Sequence, residues 1–250
     1  MKVAIMQPYL LPYIGYLQLL EYAEIFVIFD SVQYIDKGWI NRNRILHPSI
    51  DKGWQYITYP LSGKSNLQKI KDVNVKNNYD FFTELNNKLS AFNKAPFFKE
   101  VKSYIQHLSQ ITSGLESISA INTVILESLN DRLEMNCKVI NEASIDYNKF
   151  DVQHPGQWAL EITKALSADC YVNPIGGIEL FVASEYEEKN INLEFLKTEI
   201  IPYKQYRGYF EPGLSIVDVL LWNGFSETRN MIRKNYTILG TGSESFNSKI

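Results

Sequence analysis

Residues 2–30 read KVAIMQPYLLPYIGYLQLLEYAEIFVIFD. The run Lys2–Met6 is short and apolar, and Gln7-Pro8 stops it. A second Pro-Tyr pair follows at Pro12-Tyr13. From Gly15 to Tyr22 the spacing of Tyr16, Leu19 and Leu20, continued by Ala23, suits one face of a helix. Ile25–Phe29 is a β-branched and aromatic run that ends at Asp30. Strand, short helix and strand in so few residues make a βαβ unit, so the two strands are expected to run parallel. A right-handed crossover then brings Gln7 and Asp30 together at the carboxyl ends of their strands. In open α/β sheets that edge is where ligands bind.

Downstream, residues 31–48 (SVQYIDKGWINRNRILHP) form a polar and aromatic loop with one strand-like end. Trp54–Leu61 alternates and fits a hairpin strand. Lys64–Lys76 is basic, with a short alternating stretch over Ile70–Val75. Residues 79–134 are helical by pattern, with breaks at Ala95-Pro96 and Ser113-Gly114, and 115–133 carry the clearest helical period. Strands are then expected at Lys138–Ile140, Cys170–Asn173 and Leu193–Leu196, and a helix at Gly156–Leu166. Two further helices, Leu214–Trp222 and Phe225–Lys234, are separated at Gly224. The fold expected is α/β: a Rossmann-like open, largely parallel sheet formed by residues 1–78 and 135–239. Residues 79–134 are a helical insertion, and 240–250 (GTGSESFNSKI) a disordered tail.

The chain has 250 residues, 45% hydrophobic and 21% charged, which is globular composition. Its 25 basic and 28 acidic side chains leave a net charge of -3, the wrong balance for a nucleic-acid binder. No apolar run reaches the roughly 20 residues that span a bilayer, and no signal peptide is recognisable. The expected location is therefore the cytoplasm. Cys137 and Cys170 show no C-x-x-C pattern, and His47, His107 and His154 are scattered. Neither a structural zinc site nor a histidine-rich metal centre is expected.

Several segments carry chemistry-bearing side chains. Two prolines stiffen the turn after the first strand, where Gln7 and Tyr13 stand; it is either a ligand-binding edge or a rigid aromatic plug. Asp30 is a base, a cation ligand or a hydroxyl acceptor, or else caps the next turn. Gln33 and Tyr34 follow it. In Trp39-Ile40-Asn41-Arg42-Asn43-Arg44, alternation puts Asn41 and Asn43 on one side and Arg42 and Arg44 on the other. Arg grips phosphate bidentately and Trp stacks on flat ligands, although a solvated edge strand reads the same way. Lys64 lies in L-S-G-K-S, which lacks the upstream glycine of a P-loop. Asn173, Gly176 and Gly177 follow a strand, in a tight turn or an anion-binding one. Tyr203 and Gln205 lie past the next strand. Ser215 and Asp218 are architectural, Asp218 requiring a partner within an apolar helix. His154 is the one histidine placed as a base.

Three stretches, Q-P-Y-L-L-P-Y-I-G-Y from Gln7, F-V-I-F-D-S-V-Q-Y from Phe26 and W-I-N-R-N-R-I-L from Trp39, resemble the opening of the WbqC-like protein family. Y-V-N-P-I-G-G-I-E-L-F from Tyr171, I-P-Y-K-Q-Y from Ile201 and L-S-I-V-D-V-L-L-W-N from Leu214 agree, so the resemblance runs over residues 2–235. It implies a transferase of bacterial surface-polysaccharide (O-antigen type) precursor synthesis. The reaction implied is acyl or aminoacyl (glycyl) transfer to the amine of a nucleotide-linked amino sugar. The partners are then that sugar nucleotide and an acyl donor, free or on a carrier protein. No tightly bound cofactor is expected, and Mg²⁺ only with substrate phosphates. In this reading Gln7, Asp30, Asn41 and His154 serve catalysis, Asp30 and His154 as candidate bases. Asn41, Asn43 and the amides of Gly176-Gly177 are oxyanion donors, and Arg42 and Lys64 hold the diphosphate. Tyr13, Gln33, Tyr34, Trp39, Asn173, Tyr203 and Gln205 contact substrate. Two other classes stay open: a non-catalytic sugar-nucleotide binder, and a relative of the nucleotidylyltransferases. Tyr13-Ile14-Gly15-Tyr16 stands where the latter carry H-x-G-H.

Overall fold

The opening βαβ unit forms as its sequence predicts. Strand β1 (Lys2–Met6) and strand β2 (Ile25–Ile28) pair in parallel across helix α1 (Ile14–Tyr22), with Val3 opposite Ile25 and Met6 opposite Ile28. The computed structural model describes residues 1–63, 67–147, 150–206 and 208–240. After β2 come an antiparallel ribbon, β3 (Arg42–Leu46) with β4 (Trp54–Thr58), and three helices, α2 (Phe81–Leu89), α3 (Phe98–Ile111) and α4 (Ile118–Arg132). The chain then alternates: β5 (Lys138–Asn141), α5 (Gln157–Ala165), β6 (Cys170–Pro174), α6 (Ala183–Glu187), β7 (Asn192–Thr198), α7 (Ile216–Lys234) and β8 (Tyr236–Gly240). Among the described residues the main sheet has six strands in the order β5-β2-β1-β6-β7-β8, parallel except for β8.

Both faces of the sheet are covered, which is why its central strands read as unbroken apolar runs. Alternate residues go to opposite faces. Ala4, Phe26 and Ile28 join the side chains of α1, α7 and the helices α2–α4 in one buried cluster. Val3, Ile5 and Val27 join those of α5 and α6 in another. The helices of residues 79–134 thus pack into the same core as α1 and α7. The strand order reverses between β1 and β6: β1 leads through α1 to β2 on one side, and β6 leads through α6 to β7 on the other. A crevice at the carboxyl ends of β1 and β6 is the geometric result.

Some local expectations shift. Ile70–Val75 is a 3₁₀ turn (Ile70–Asp72) followed by two isolated bridges, Asn74 to Ser117 and Val75 to Leu61. Its two fully buried residues, Ile70 and Val73, are three apart, which is turn spacing. Tyr236–Gly240 is an antiparallel edge strand that its short length hid; residues 241–250, assigned to a disordered tail, lie outside the described residues. Cys137 and Cys170 are free and buried, and burial pushes each thiol up to about 12. Among the described residues no helix is long and apolar enough to cross a membrane.

Helix α7 breaks at Gly224, as its sequence predicts, with φ 68° and ψ 178°. That conformation is open essentially to glycine alone. A β-carbon there would stand 2.6 Å from the ring of Phe97. Gly224→Ala is therefore expected to lower stability by about 1–3 kcal/mol, read as the urea midpoint of the variant against the parent. An unchanged midpoint would mean that α7 straightens without strain.

Candidate functional site

A cavity of about 530 Å³ opens at the carboxyl ends of β1 and β6, where the strand order reverses. Met6, Tyr9, Tyr13 and Tyr16 line it from the β1 side, Asn173, Pro174, Gly176 and Gly177 from the β6 side. Trp39, Asn43 and Arg44 come from the approach to β3 and from β3 itself, while Leu180, Ile200 and Gly213 form the rim. The wall is aromatic and amide-rich, and among the described residues its one charged side chain is Arg44. Burial pushes the phenols of Tyr9 and Tyr13 up, so both stay protonated near neutrality. A depression of about 790 Å³ lies elsewhere, between α3 and α4, and none of its lining residues follows a strand of the sheet.

Arg44 is held in an unusual setting. Its guanidinium carbon stands 5.4 Å from the centre of the Trp39 ring and 5.1 Å from that of Trp54. Nη2 donates to the Gly213 carbonyl at 3.1 Å. Nε is closed off from solvent and has no hydrogen-bond partner among the described residues. A guanidinium fixed by two rings on a cavity wall suits an anion. Helix α1 starts behind the same wall: its first residue follows Tyr13 with no side-chain cap, and the Tyr16 N–H is taken by the Tyr13 carbonyl at 3.1 Å.

The turn that carries the β1 side is fastened through its carbonyls. Tyr16 donates its hydroxyl to the Gln7 carbonyl at 2.8 Å. Asn122 Nδ2 reaches the Pro8 carbonyl at 2.9 Å and that of Ile40 at 2.7 Å. Asn43 Nδ2 donates to the carbonyls of Leu10 and Leu11, each at 2.9 Å. The Ser215 hydroxyl also donates to Leu11, at 2.7 Å, and the Ile216 N–H to Pro12, at 2.7 Å. Leu11 is held at φ 42° by these bonds, in the left-handed region that a leucine seldom adopts.

The structure sorts the sequence candidates. Tyr13, Trp39, Asn43, Asn173, Gly176 and Gly177 line the cavity together. Of the two glycines, Gly177 is the one with a steric reason: a β-carbon there would run into the Asn173 amide, whereas at Gly176 it would meet nothing within 4 Å. Gln7 and Asp30 do stand at adjacent strand ends, where the Phe29 N–H donates to the Met6 carbonyl at 2.9 Å. The expectation that Gln7, Asp30, Asn41 and Arg42 share one cleft is corrected. Gln7 lines a separate cleft with Gln33 and Tyr34. Asp30 is buried; its Oδ2 accepts from the Ser119 hydroxyl and, at 3.4 Å, from Asn141 Nδ2. Asn41 is engaged by Tyr34, whose hydroxyl donates to Oδ1 at 2.7 Å, and by the Tyr59 carbonyl, which accepts from Nδ2 at 3.0 Å. Asn43, proposed as an oxyanion donor, spends both N–H groups of its amide on Leu10 and Leu11.

Arg42 points away. Its Nε donates to the Gly38 carbonyl at 3.2 Å, its Nη2 to the Lys37 carbonyl, and its guanidinium lies 4.4 Å from the centre of the Tyr56 ring. Strand alternation put both arginines on one side, but Arg44 is the one beside the Gly213 rim. His154 is absent from the cavity wall; its Nε2 lies 3.0 Å from both carboxylate oxygens of Glu185, at the start of α5. Tyr203 and Gln205 serve Asp218: the Tyr203 hydroxyl and Gln205 Nε2 donate to Oδ2 at 2.7 and 2.9 Å. Lys64 lies outside the described residues. Sequence reasoning missed Arg44 and Tyr9, for which the flanking tryptophans Trp39 and Trp54 and the Pro-Tyr repeat were the available signals. It also missed Glu142, a fully buried carboxylate after β5 whose Oε1 accepts the N–H groups of Asp30 and Ser31.

The model of the WbqC-like protein family matches residues 7–230. A relative, the uncharacterized protein Rv1507c of Mycobacterium tuberculosis, is 27% identical over 236 residues, which are 93% of this chain and 97% of the relative. No solved structure matches.

Asp218 generates a prediction about pH. Burial raises its carboxyl from the ordinary 3.8 to about 6, although the bonds from Tyr203 and Gln205 favour the charged form. The folded state therefore holds a proton that the unfolded chain releases, and stability falls as pH rises from about 4 to about 6. The slope is about 1.4 kcal/mol per pH unit. Asp218→Asn keeps an acceptor oxygen for both donors and has nothing to titrate. Between pH 4 and 6 its stability is expected to gain about 2 kcal/mol relative to the parent, by denaturant midpoints at each pH. A constant difference would show that Asp218 is ionised with an ordinary affinity for protons.

Proposed function

The chain belongs to the WbqC-like protein family, and from that premise we propose that it is a transferase of bacterial surface-polysaccharide precursor synthesis, moving an acyl or aminoacyl group onto the amine of a nucleotide-linked amino sugar. The observation that carries this reading is the cavity at the β1/β6 reversal, with Arg44 clasped between Trp39 and Trp54. A diphosphate placed there meets the Arg44 guanidinium, which the two rings and the Gly213 carbonyl hold on the wall. The rings of Tyr9, Tyr13 and Trp39 offer flat faces to a base or a sugar. Mg²⁺, where present, travels with the phosphate oxygens.

In the transfer the amine nitrogen forms the new bond to the acyl carbon, the bond to the carrier breaks, and the amine proton leaves with the departing group. The second reading, a sugar-nucleotide binder without catalysis, is favoured by one observation: among the described residues the wall contains neither a carboxylate nor an imidazole to take a proton. Nucleotidylyl transfer is disfavoured, since Tyr13 and Tyr16 replace the histidines that its phosphate grip requires.

Calorimetry with a panel of nucleoside diphosphates and nucleotide sugars tests the site. Arg44→Gln is expected to weaken binding by about 1.5–3 kcal/mol, the worth of a hydrogen bond to a charged group, with its melting temperature checked in parallel. Arg42→Ala is expected to leave binding unchanged. Equal loss in both variants, or none in Arg44→Gln, would remove Arg44 as the phosphate ligand. Mass spectrometry of the amino sugar nucleotide incubated with protein and acyl donors then separates enzyme from binder.

A further inference from the structure

Gln7 has no role in the cavity just described, yet it stands beside it. Met6 lines that cavity, and Gln7, the next residue, lines a second cleft, also about 530 Å³, on the β2 side of β1. The two are linked directly, because Tyr16, part of the first wall, donates to the Gln7 carbonyl at 2.8 Å. The second cleft is walled by Gln7, Val32, Gln33, Tyr34, Ile35 and Asp36.

Its chemistry differs from that of the first. Among the described residues its lining holds no cation, unlike the first cavity, which has Arg44. Two side-chain amides and one carboxylate stand against aliphatic and aromatic surface. The Gln7 amide has no hydrogen-bond partner among the described residues, and an amide offers both donors and an acceptor. Asp36 Oδ1 accepts the Lys37 N–H at 2.9 Å. The Tyr34 hydroxyl is spent on Asn41, which leaves its ring as contact surface, and Ile35 is 61% exposed. Donors and acceptors set beside apolar surface match a sugar ring, whose hydroxyl or amino groups project from a C–H face. From β6 to β2 is two strand spacings, about 10 Å, a span on the scale of a glycosyl phosphate.

We propose that this cleft is the amino-sugar subsite: the phosphate lies on the β6 side of β1 near Arg44, and the ring crosses Gln7 into the cleft, its ammonium toward Asp36. The inference rests on the function proposed above and assigns Gln7, Gln33 and Asp36 to the sugar.

Titrations with inorganic phosphate and with glucosamine 1-phosphate test it without knowledge of the nucleobase. Glucosamine 1-phosphate is expected to bind about tenfold more tightly than phosphate, the factor one charge-assisted hydrogen bond supplies. Gln7→Ala and, separately, the surface change Asp36→Asn are each expected to erase most of that gain and leave phosphate binding intact. Arg44→Gln is expected to weaken both ligands. No gain from the sugar, or a gain that survives both Gln7→Ala and Asp36→Asn, overturns the sugar subsite and leaves the proposed function standing. Binding of neither ligand, or binding indifferent to Arg44→Gln, overturns the proposed function and this inference with it.

Discussion

The capture of the backbone carbonyls between Gln7 and Pro12 is the constraint on which the site depends. A polar turn just past a buried strand must find partners for its carbonyls, because unpaired buried polar groups cost about 1–3 kcal/mol each. Here the partners come from four elements: Tyr16 on α1, Asn43 on β3, Asn122 on α4, and Ser215 with Ile216 at the start of α7. Asn43, Asn122 and Ser215 are buried, so each bond forms in a setting where water does not compete. The same bonds hold Leu11 at a positive φ and fix the direction in which Gln7, Tyr9 and Tyr13 face.

The helices between β4 and β5 are part of that arrangement. Ser119 and Asn122 are three residues apart on α4, so they share a face of the helix. One donates to Asp30 at the end of β2, and the other ties Pro8 of the turn to Ile40 on the approach to β3. One helical face thereby connects the β1 turn, the β2 end and the segment that leads to Arg44. The ends of β2 and β5 are joined in turn by Glu142, which accepts the N–H groups of Asp30 and Ser31 and the Tyr147 hydroxyl. Burial raises the Glu142 carboxyl above the ordinary carboxylate range. These acids brace the strand ends, and Asp218 does the same for the loop that carries Tyr203 and Gln205.

What remains for ligands is chemically simple. The larger part of the carboxylate inventory near the sheet edge is consumed by structure, and the cavity at the β1/β6 reversal keeps one cation, several aromatic faces and backbone amides. Arg44 is tied by its Nη2 to Gly213 and flanked by two tryptophans, so little rotamer freedom is left to lose when an anion arrives. On the other side of β1 the balance is reversed among the described residues, with amides and a carboxylate and no cation. A ligand that is anionic at one end and polyhydroxylated at the other matches this division.

Much of the fold was legible in the chain. Apolar runs of four or five residues separated by a short helix mark buried parallel strands, and the break at Gly224 follows from a residue that tolerates a positive φ. The cavity opens at the carboxyl edge that strand direction marks, and Tyr13, Trp39, Asn173, Gly176 and Gly177, all candidates in the sequence, line it. What the sequence could not decide was which polar side chains are spent on the protein itself. The sequence offers Asn43 and passes over its neighbour Arg44, yet Asn43 is consumed by Leu10 and Leu11 while Arg44 stands on the cavity wall. Arg42 and Arg44 share a strand side, but only the packing of β3 against the loop at Gly213 separates them. Asp30 and His154 looked like bases until distant partners, Ser119 and Glu185, occupied them. Such partners lie 89 and 31 residues away, and a hydrogen bond across that distance is fixed by tertiary packing, not by local pattern.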